Sequence, residues 1–217
     1  MKYDIERELS SDSGIYVLGD GPSHINIEDD YLTILIGKRS RVLFASLDGR
    51  PISRPGSFFI GIGEKLRYQP LCADFGPFNL GTTHHVCNLL HKAFGHFQRP
   101  NKIKDLVFYT TKSPTDVANA VYILGAFLCL HLGATPDQAW LPFQHLGRNF
   151  FPPFRDATWV RSTFDLHLRD CWSGLCRAVT KGLYSVHSFD QVLQSVIMIN
   201  CAAVLLFVTR EVSWCSR

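Results

Sequence analysis

The stretch from Asp105 to Leu132 constrains the fold of this chain more than any other. It begins with a continuous β-favouring run, Leu106 to Tyr109, of the kind found in strands covered on both faces. After a short turn, apolar residues recur every three or four positions in a stripe so wide that little of the helix can face water. The members of this stripe are Val117, Val121, Ile123, Leu124, Phe127, Leu128, Leu130 and Leu132. A buried strand followed by a buried helix predicts an α/β domain with a central sheet flanked by helices.

The turn from Thr111 to Asp116 lies where a strand, a tight loop and a helix N-terminus would form an anion cradle. Cysteine phosphatases use such a cradle, with a thiolate at the strand end, glycine in the loop and an arginine six residues after the cysteine. Here the strand ends at Thr111, Lys112 begins the loop, and Val117 stands at the arginine position. We interpret this segment as a degenerate loop, in which Lys112 and the helix N-terminus could bind an anion only weakly.

Length and cysteine content restrict the class of protein. With 217 residues, of which 46% are hydrophobic, the chain can bury a core. Its first ten residues are charged, which argues against a secretory signal. Seven cysteines without paired close spacings favour free thiols in a reducing compartment. We therefore expect a cytoplasmic or nuclear protein, and we expect no cofactor.

Charge is distributed unevenly along the chain. Residues 1–30 carry eight acidic and two basic side chains, whereas the remainder carries 20 basic and 11 acidic ones. A mildly basic body could attract phosphoproteins or other polyanions. No run of Lys or Arg exceeds two residues, and aromatic residues do not alternate with basic ones, so we expect no nucleic-acid partner.

Three segments are predicted: a flexible acidic leader at 1–14, one compact domain at 15–190 and a divergent apolar tail at 191–217. Strands are predicted at Ile15–Leu18, Tyr31–Ile36, Val42–Leu47, Leu106–Tyr109 and Phe58–Ile62. Helices are predicted at 77–97, from about Val117 to Leu132, from the capping sequence Thr135-Pro136-Asp137-Gln138 to Leu146, from 162 to 183, and from Ser188 onward. The apolar run Val196–Val208 contains 13 residues, fewer than the ~18 to 20 that cross a bilayer. We expect no membrane span there.

Three blocks of sequence occur in an order typical of one family. They are RVLFASLDGRP at 41–51, ADFGPFNL at 73–80 and PPFRDATWVRSTFDLHLRDC at 152–171. Together they resemble the N-terminal domain of the mitotic-exit dual-specificity phosphatases, the cell-division-cycle family that reverses cyclin-dependent kinase phosphorylation. The resemblance covers about residues 40 to 190. Its family-motif residues are Asp74, Phe75, Gly76, Pro77, Asn79, Phe154, Arg155 and Asp156.

The resemblance implies a phosphatase-like three-layer domain that lacks the catalytic loop. In that family a second domain carries the His-Cys-loop-Arg signature, and the present chain resembles only the first domain. The implied role is non-catalytic: to pack against a catalytic phosphatase domain and to form one wall of a groove for phosphoprotein substrates.

The C-terminal segment departs from the family. Relatives continue into an acidic linker, whereas 191–217 is apolar, with Glu211 as its only acid. A truncated isoform, a read-through product and a degenerate paralogue, or pseudophosphatase, would each give this pattern. We expect the tail to fold back over the face that the catalytic domain would cover, or to mediate self-association.

Cys171 and Arg177 have the spacing of a phosphatase signature, with Gly174 between them. One interpretation is therefore an active or trans-complemented cysteine-dependent protein phosphatase that uses these two residues. The other is a buried thiol on a helix face, because helical N–H groups bond internally and cannot hold phosphate. The helical spacing of the apolar residues in this segment favours the second interpretation; they are Phe164, Leu168, Cys171 or Trp172, Leu175, Val179 and Leu183.

Two further groups invite a functional interpretation. His84, Cys87 and His91 share a helix face, but a structural zinc site needs four ligands, and no matching pair stands elsewhere. We expect ordinary helix surface and no metal. The family-motif acids Asp74 and Asp156 could line a groove; alternatively Asp74 caps the following turn or helix, and Arg155 or Asp156 pairs locally.

Overall fold

The computed structural model describes residues 15–18, 32–36, 41–49, 56–62, 66–97, 105–146 and 150–189. Three predicted segments lie outside these residues apart from their edges: the leader, the tail with its apolar run, and the helix beyond Ser188. The described residues belong to two compact units, one within Met1–Arg67 and Leu89–Ala120, and the other within Tyr68–Asn88 and Val121–Arg217. The domain bounds 15 and 190 stay a prediction.

The first unit contains a five-stranded, mostly parallel sheet. Its strands are β1 Ile15–Leu18, β2 Leu32–Ile36, β3 Arg41–Ser46, β4 Ser57–Ile62 and β5 Asp105–Thr110. The spatial order is β1-β4-β5-β3-β2. Central β5 pairs in parallel with β3 and β4, while β1 and β2 pair antiparallel as edge strands. Each strand lies within one residue of its predicted bounds.

Burial explains why β5 occupies the centre of this sheet. All six of its residues are buried, as expected for a strand covered on both faces. One face of the sheet packs as a cluster of Leu43, Ala45, Phe59, Val107 and Tyr109. Gly61 on β4 allows the Tyr109 ring to approach, because a Cβ at that position would lie 2.3 Å from the ring.

A bidentate ion pair joins the amino ends of β3 and β5. The Arg41 guanidinium donates through Nε and Nη2 to the Asp105 carboxylate oxygens, at 2.9 and 2.8 Å. Asp105 is only 7% exposed. Because the two strands are parallel and in register at these residues, the pair fixes their alignment where β5 begins.

The helices are α1 Leu80–Phe97, α2 Pro114–Leu132, α3 Pro136–Trp140 and α4 Leu168–Thr180, with a 3₁₀ helix at Leu141–Leu146. A short antiparallel pair, β6 Phe154–Arg155 and β7 Asp165–Leu166, precedes α4. The capping box predicted for α3 is present: Thr135 and Gln138 bond reciprocally, through the Thr135 hydroxyl and the Gln138 amide oxygen. The α/β fold with a central sheet flanked by helices is confirmed.

Three predicted helix starts are wrong, for different reasons. Helix α1 begins at Leu80 rather than at 77, because the Asn79 side chain caps it. Helix α2 begins at Pro114, earlier than expected, because proline suits a first turn and the Ser113 carbonyl already accepts the Val117 N–H at 2.9 Å. Helix α4 begins at Leu168 rather than Ser162, because residues 165–166 instead pair with the distant residues 154–155. Phe164, assigned to the apolar stripe of that helix, is therefore outside it and 49% exposed.

The far end of the α4 prediction also needs correction. The helix ends at Thr180. Val179 and Leu183, both placed on the buried stripe by the sequence, are 42% and 64% exposed. The Leu183 and Tyr184 N–H groups both donate to the Ala178 carbonyl, so the chain turns back after the last helical residue and carries Leu183 off the helical face.

Helix α2 is a core element, as predicted. Val117, Leu124 and Leu128 are 5%, 0% and 6% exposed. Among the described helices, α2 is long and apolar enough to cross a membrane, yet 72% of the apolar window is buried inside the protein. Burial of this kind is typical of a core helix.

Truncation of Leu124 tests the importance of this helix. We expect Leu124→Ala to lower the free energy of unfolding by roughly 2 to 5 kcal/mol, because the change leaves a cavity at a fully buried site. Leu132→Ala is the matched control: it makes the same change at a residue 39% exposed at the end of the same helix, and should cost about 1 kcal/mol or less. Urea unfolding measures both. A loss below about 1 kcal/mol for Leu124→Ala would contradict a central role for α2.

Candidate functional site

The degenerate loop between β5 and α2 uses much of its hydrogen-bonding capacity internally. The Thr111 hydroxyl donates to the Asp116 carboxylate at 2.6 Å, and the Ser113 N–H donates to the same hydroxyl at 3.2 Å. The Ser113 and Thr115 hydroxyls lie 3.0 Å apart. A phosphate cradle instead points its N–H groups at the ligand. The loop is therefore built as a closed turn that begins a helix.

The charges at this loop also oppose an anion. Asp116 places a carboxylate in the first turn of α2, where the helix dipole favours negative charge. The Lys112 ammonium lies 2.7 Å from the Asp48 carboxylate. Val117, at the position where phosphatases carry arginine, is a buried side chain. Residues 111–117 therefore hold no thiol, no arginine and no glycine, and they lack the nucleophile that phosphoryl transfer to cysteine requires.

Cys171 and Arg177, the alternative catalytic pair, both lie within helix α4. Cys171 is 0% exposed, while Arg177 is exposed. The Cys171 N–H donates to the His167 carbonyl at 3.1 Å, so it is used within the first turn of the helix. Six helical residues span about 9 Å and do not return to the same face. The structure does not bring this thiol and this guanidinium around one loop.

Asp74, in the family block at 73–80, organises the turn before it. Its carboxylate accepts hydrogen bonds from the Tyr68 hydroxyl at 2.5 Å, the Leu71 N–H at 3.0 Å and the Cys72 N–H at 2.7 Å. The expectation that Asp74 caps the following turn or helix is therefore wrong, because Asp74 instead accepts hydrogen bonds from the turn that precedes it. The cap of α1 is Asn79, whose side chain accepts from the Thr82 N–H at 2.8 Å.

These contacts set the acidity of Asp74, which is 5% exposed. Burial acts to raise the pKa of its carboxyl group, but the hydrogen bonds from the Tyr68 hydroxyl and the backbone N–H groups together outweigh burial and lower the pKa below its ordinary value of 3.8. Sequence reasoning missed Tyr68, because nothing in a six-residue separation within a loop marks two side chains as partners.

Arg155 and Asp156, in the family block at 152–171, bond to their own turn. The Arg155 guanidinium donates to the Thr158 carbonyl at 3.2 Å and to the Val160 carbonyl. The Thr158 hydroxyl donates to the Asp156 carboxylate at 3.2 Å. These contacts agree with the interpretation that Arg155 or Asp156 pairs locally. Their effect is to hold the 156–160 turn in one shape.

The family blocks at 73–80 and 152–171 meet in the second unit. The Ala73 N–H donates to the Thr158 carbonyl at 3.4 Å, and the rings of Phe75 and Phe154 lie 5.3 Å apart. We call residues 71–75 and 154–160 the motif surface. It presents Leu71, Trp159 and Val160, which are 63%, 78% and 70% exposed.

The face of α1 that carries His84, Cys87 and His91 differs from the ordinary helix surface expected. Cys87 is 0% exposed, donates to the Ile123 carbonyl, and has a pKa raised by burial. Both ring nitrogens of His84 are engaged, with the Tyr184 hydroxyl and the Asn88 amide, each at 2.8 Å. Burial and then the neighbouring His85 lower the pKa of His84. His91 is the exposed member of this set. In the described part of the chain, no three His, Cys, Asp or Glu side chains are arranged to hold a metal ion.

Comparison with known proteins gives one consistent result. The family described as dual specificity protein phosphatase, N-terminal half, matches residues 36–178. Dual specificity protein phosphatase CDC14A of Homo sapiens is 31% identical over 152 residues, which cover 70% of this chain and 25% of the relative. Tyrosine-protein phosphatase CDC14 of Saccharomyces cerevisiae is 30% identical over 152 residues, covering 70% of this chain and 27% of the relative. The chain thus spans about a quarter of the length of these curated relatives.

The Asp74 network predicts a pH dependence of stability. Because the folded-state pKa of Asp74 is lowered, the network contributes stability above the ordinary pKa of about 3.8, and this is lost as pH falls through the lower folded-state value. Asp74→Asn should lower the free energy of unfolding by about 1 to 3 kcal/mol at neutral pH and flatten this acid-side loss.

Asp165→Asn is the matched control for Asp74→Asn, because Asp165 is an exposed aspartate on β7 in the same unit. It should change the free energy of unfolding by at most about 0.5 kcal/mol. Urea titrations at several pH values measure both variants. Equal effects of the two substitutions would show that the Asp74 contacts do not stabilise the fold.

Proposed function

Because the chain belongs to the dual-specificity protein phosphatase family and corresponds to its N-terminal half, we propose that it is a non-catalytic domain. Its role is to pack against a catalytic phosphatase domain and to support recognition of phosphoprotein substrates. The observation that carries this proposal is the closed loop between β5 and α2. The loop occupies the place of a phosphate cradle and contains neither a thiol nor an arginine.

The internal contacts of the loop support the proposal more strongly than its composition alone. Thr111 and Asp116 satisfy each other at the helix start, and Lys112 already contacts Asp48. A phosphate dianion placed there would have to displace these contacts and approach a carboxylate. The same geometry that begins the helix therefore disfavours tight anion binding.

The alternative proposal, an active or trans-complemented enzyme that uses Cys171 and Arg177, has less support. Cys171 lies in the first turn of α4 with its N–H bonded and its thiol buried. A catalytic cysteine of this class needs a partly exposed, electropositive environment and free N–H groups around the phosphate.

The motif surface is the best candidate for the contact with a catalytic domain. Trp159 is 78% exposed, and Arg155 donates hydrogen bonds to the carbonyl groups of the residues on either side of it. Because these contacts already hold the turn, binding would cost little backbone entropy. Large aromatic side chains of this kind often dominate binding energy at interfaces. Relatives roughly four times longer than the aligned segment have room for such a domain beyond the matched region.

The remaining functional predictions follow from the same proposal. A cell-cycle role and a cytoplasmic or nuclear location fit the family. Action as a truncated isoform or a pseudophosphatase, and self-association through residues 191–217, stay predictions that rest on the sequence. Transcript mapping would identify a truncated product if an exon downstream encodes the phosphatase signature.

Activity measurement tests the non-catalytic assignment. We expect the purified chain to hydrolyse p-nitrophenyl phosphate no faster than buffer, because thiolate, arginine and cradle do not occur together. Cys171→Ser should leave this background unchanged. Turnover above background that disappears in Cys171→Ser would overturn the proposal in favour of the enzyme.

Binding measurement tests the docking role separately. The chain should bind the part of human CDC14A that follows the matched region, and the double substitution Trp159→Ala with Val160→Ala should weaken binding by about 2 kcal/mol or more. Leu183→Ala is the control, because Leu183 is similarly exposed, at 64%, but lies outside the motif surface. It should change affinity by less than about 0.5 kcal/mol. Equal losses for both variants, or no binding by the parent chain, would contradict docking at the motif surface.

A further inference from the structure

Two cysteines that are 47 positions apart in the sequence meet in the second unit. Cys129 lies near the end of helix α2, and Cys176 lies in the second half of helix α4. Both are free thiols. Their side chains form a hydrogen bond with each other.

The packing of α2 against α4 explains this meeting. The Trp172 indole N–H donates to the Tyr122 carbonyl at 3.0 Å. The Trp172 ring also lies so near Gly125 that a Cβ there would be 2.0 Å from it. Gly125 and Trp172 are thus a close contact point between the two helices. Cys129 and Cys176 each lie four residues beyond it, about 6 Å further along each helix.

The two thiols differ in exposure and in acidity. Cys129 is 8% exposed, whereas Cys176 is only half-buried and can be reached from solvent. The hydrogen bond from Cys129 lowers the pKa of the Cys176 thiol to about 7, against the opposing effect of burial. That hydrogen bond, together with burial, raises the pKa of Cys129. Cys176 is therefore the thiolate of the pair, and Cys129 is the thiol that donates to it.

We propose that Cys129 and Cys176 form a peroxide-reactive dithiol site that closes to an intramolecular disulfide. The pair has the two features of a redox-sensing site, an accessible thiol and an adjacent thiol to resolve it. Disulfides in reducing compartments are usually transient ones of this kind. The site is independent of the function proposed above.

The reaction balances with a hydroperoxide as the oxidant. The Cys176 thiolate attacks one peroxide oxygen, the O–O bond breaks, and hydroxide leaves to take a proton from solvent, which gives a sulfenic acid and water. The Cys129 sulfur then attacks the Cys176 sulfur, and the S–O bond breaks. The departing hydroxide takes the Cys129 proton and forms a second water. Two thiols are oxidised to one disulfide, and hydrogen peroxide is reduced to two water molecules.

A third thiol nearby sharpens the assignment. Cys87 is fully buried, its pKa is raised by burial, and its S–H donates to the Ile123 carbonyl. It is therefore less reactive than Cys176 and is held by a different partner. The structure assigns the disulfide to Cys129 and Cys176 rather than to Cys87.

Peptide mapping after oxidation tests the proposal on the full chain. The reduced protein is treated with hydrogen peroxide, remaining thiols are blocked with an alkylating reagent, and linked peptides are identified by mass spectrometry. We expect a disulfide-linked pair containing Cys129 and Cys176, with the loss of two hydrogen atoms, and its disappearance on reduction. Loss of the Cys176 thiol should accelerate as pH rises through about 7, because the thiolate is the nucleophile.

Variants separate the two steps. In Cys129→Ser the linked pair is lost and dimedone should trap Cys176 as the sulfenic acid, whereas in Cys176→Ser neither product forms at this site. Cys72→Ser is the control, since Cys72 is a half-buried thiol elsewhere in the unit, and it should leave the linked pair unchanged. Linkage of Cys176 to Cys87 or to any other cysteine in the parent chain would overturn the proposal. Accumulation of sulfinic acid at Cys176 without a link to Cys129 would also overturn it.

Discussion

Strand β5 is paired on both sides by parallel strands, and all six of its residues are buried. A strand in that position cannot be shifted without exposing one hydrophobic face or burying polar groups. The chain that leaves it enters α2 after only three intervening residues, and Val117, in the first turns of that helix, is buried as well. The position of the loop between them is therefore set by burial on both sides, whatever chemistry its side chains carry.

This constraint explains how a phosphatase-like scaffold can carry a loop that contains neither cysteine nor arginine. A strand, a short loop and a helix start place N–H groups at one edge of a sheet, and in this chain those groups begin a helix whose first turn contains Asp116. The Thr111 hydroxyl contacts that carboxylate, so polar groups that would face the ligand in a phosphate cradle bond within the loop instead. Stability of the turn and capture of an anion are competing uses of the same few groups, and here the contacts favour the turn.

Local patterns in the sequence predict much of the fold, and contacts between distant residues account for what they miss. The strands lie within a residue of expectation because β-favouring runs are bounded by glycine and proline turns. The start of α4 could not be predicted, because Asp165 and Leu166 pair with Phe154 and Arg155 across a loop. At the loop between β5 and α2, Thr111 and Val117 stand where a phosphatase carries cysteine and arginine. The sequence alone therefore predicts that this loop is not a phosphate cradle. The sequence does not predict the partners of Asp74. Nor does it predict the meeting of Cys129 with Cys176, because that contact depends on how Gly125 and Trp172 pack helices α2 and α4 together.

The most direct test of the account is whether the loop between β5 and α2 holds a phosphate. Titration of inorganic phosphate into the isotopically labelled chain, followed by the NMR amide shifts of residues 111–117, measures binding at that loop alone. A closed turn should give no saturable shift at concentrations up to about 1 mM, which corresponds to a binding free energy weaker than about −4 kcal/mol. Saturable shifts of these amides at micromolar phosphate would show that the loop binds an anion and would contradict its description as a closed turn.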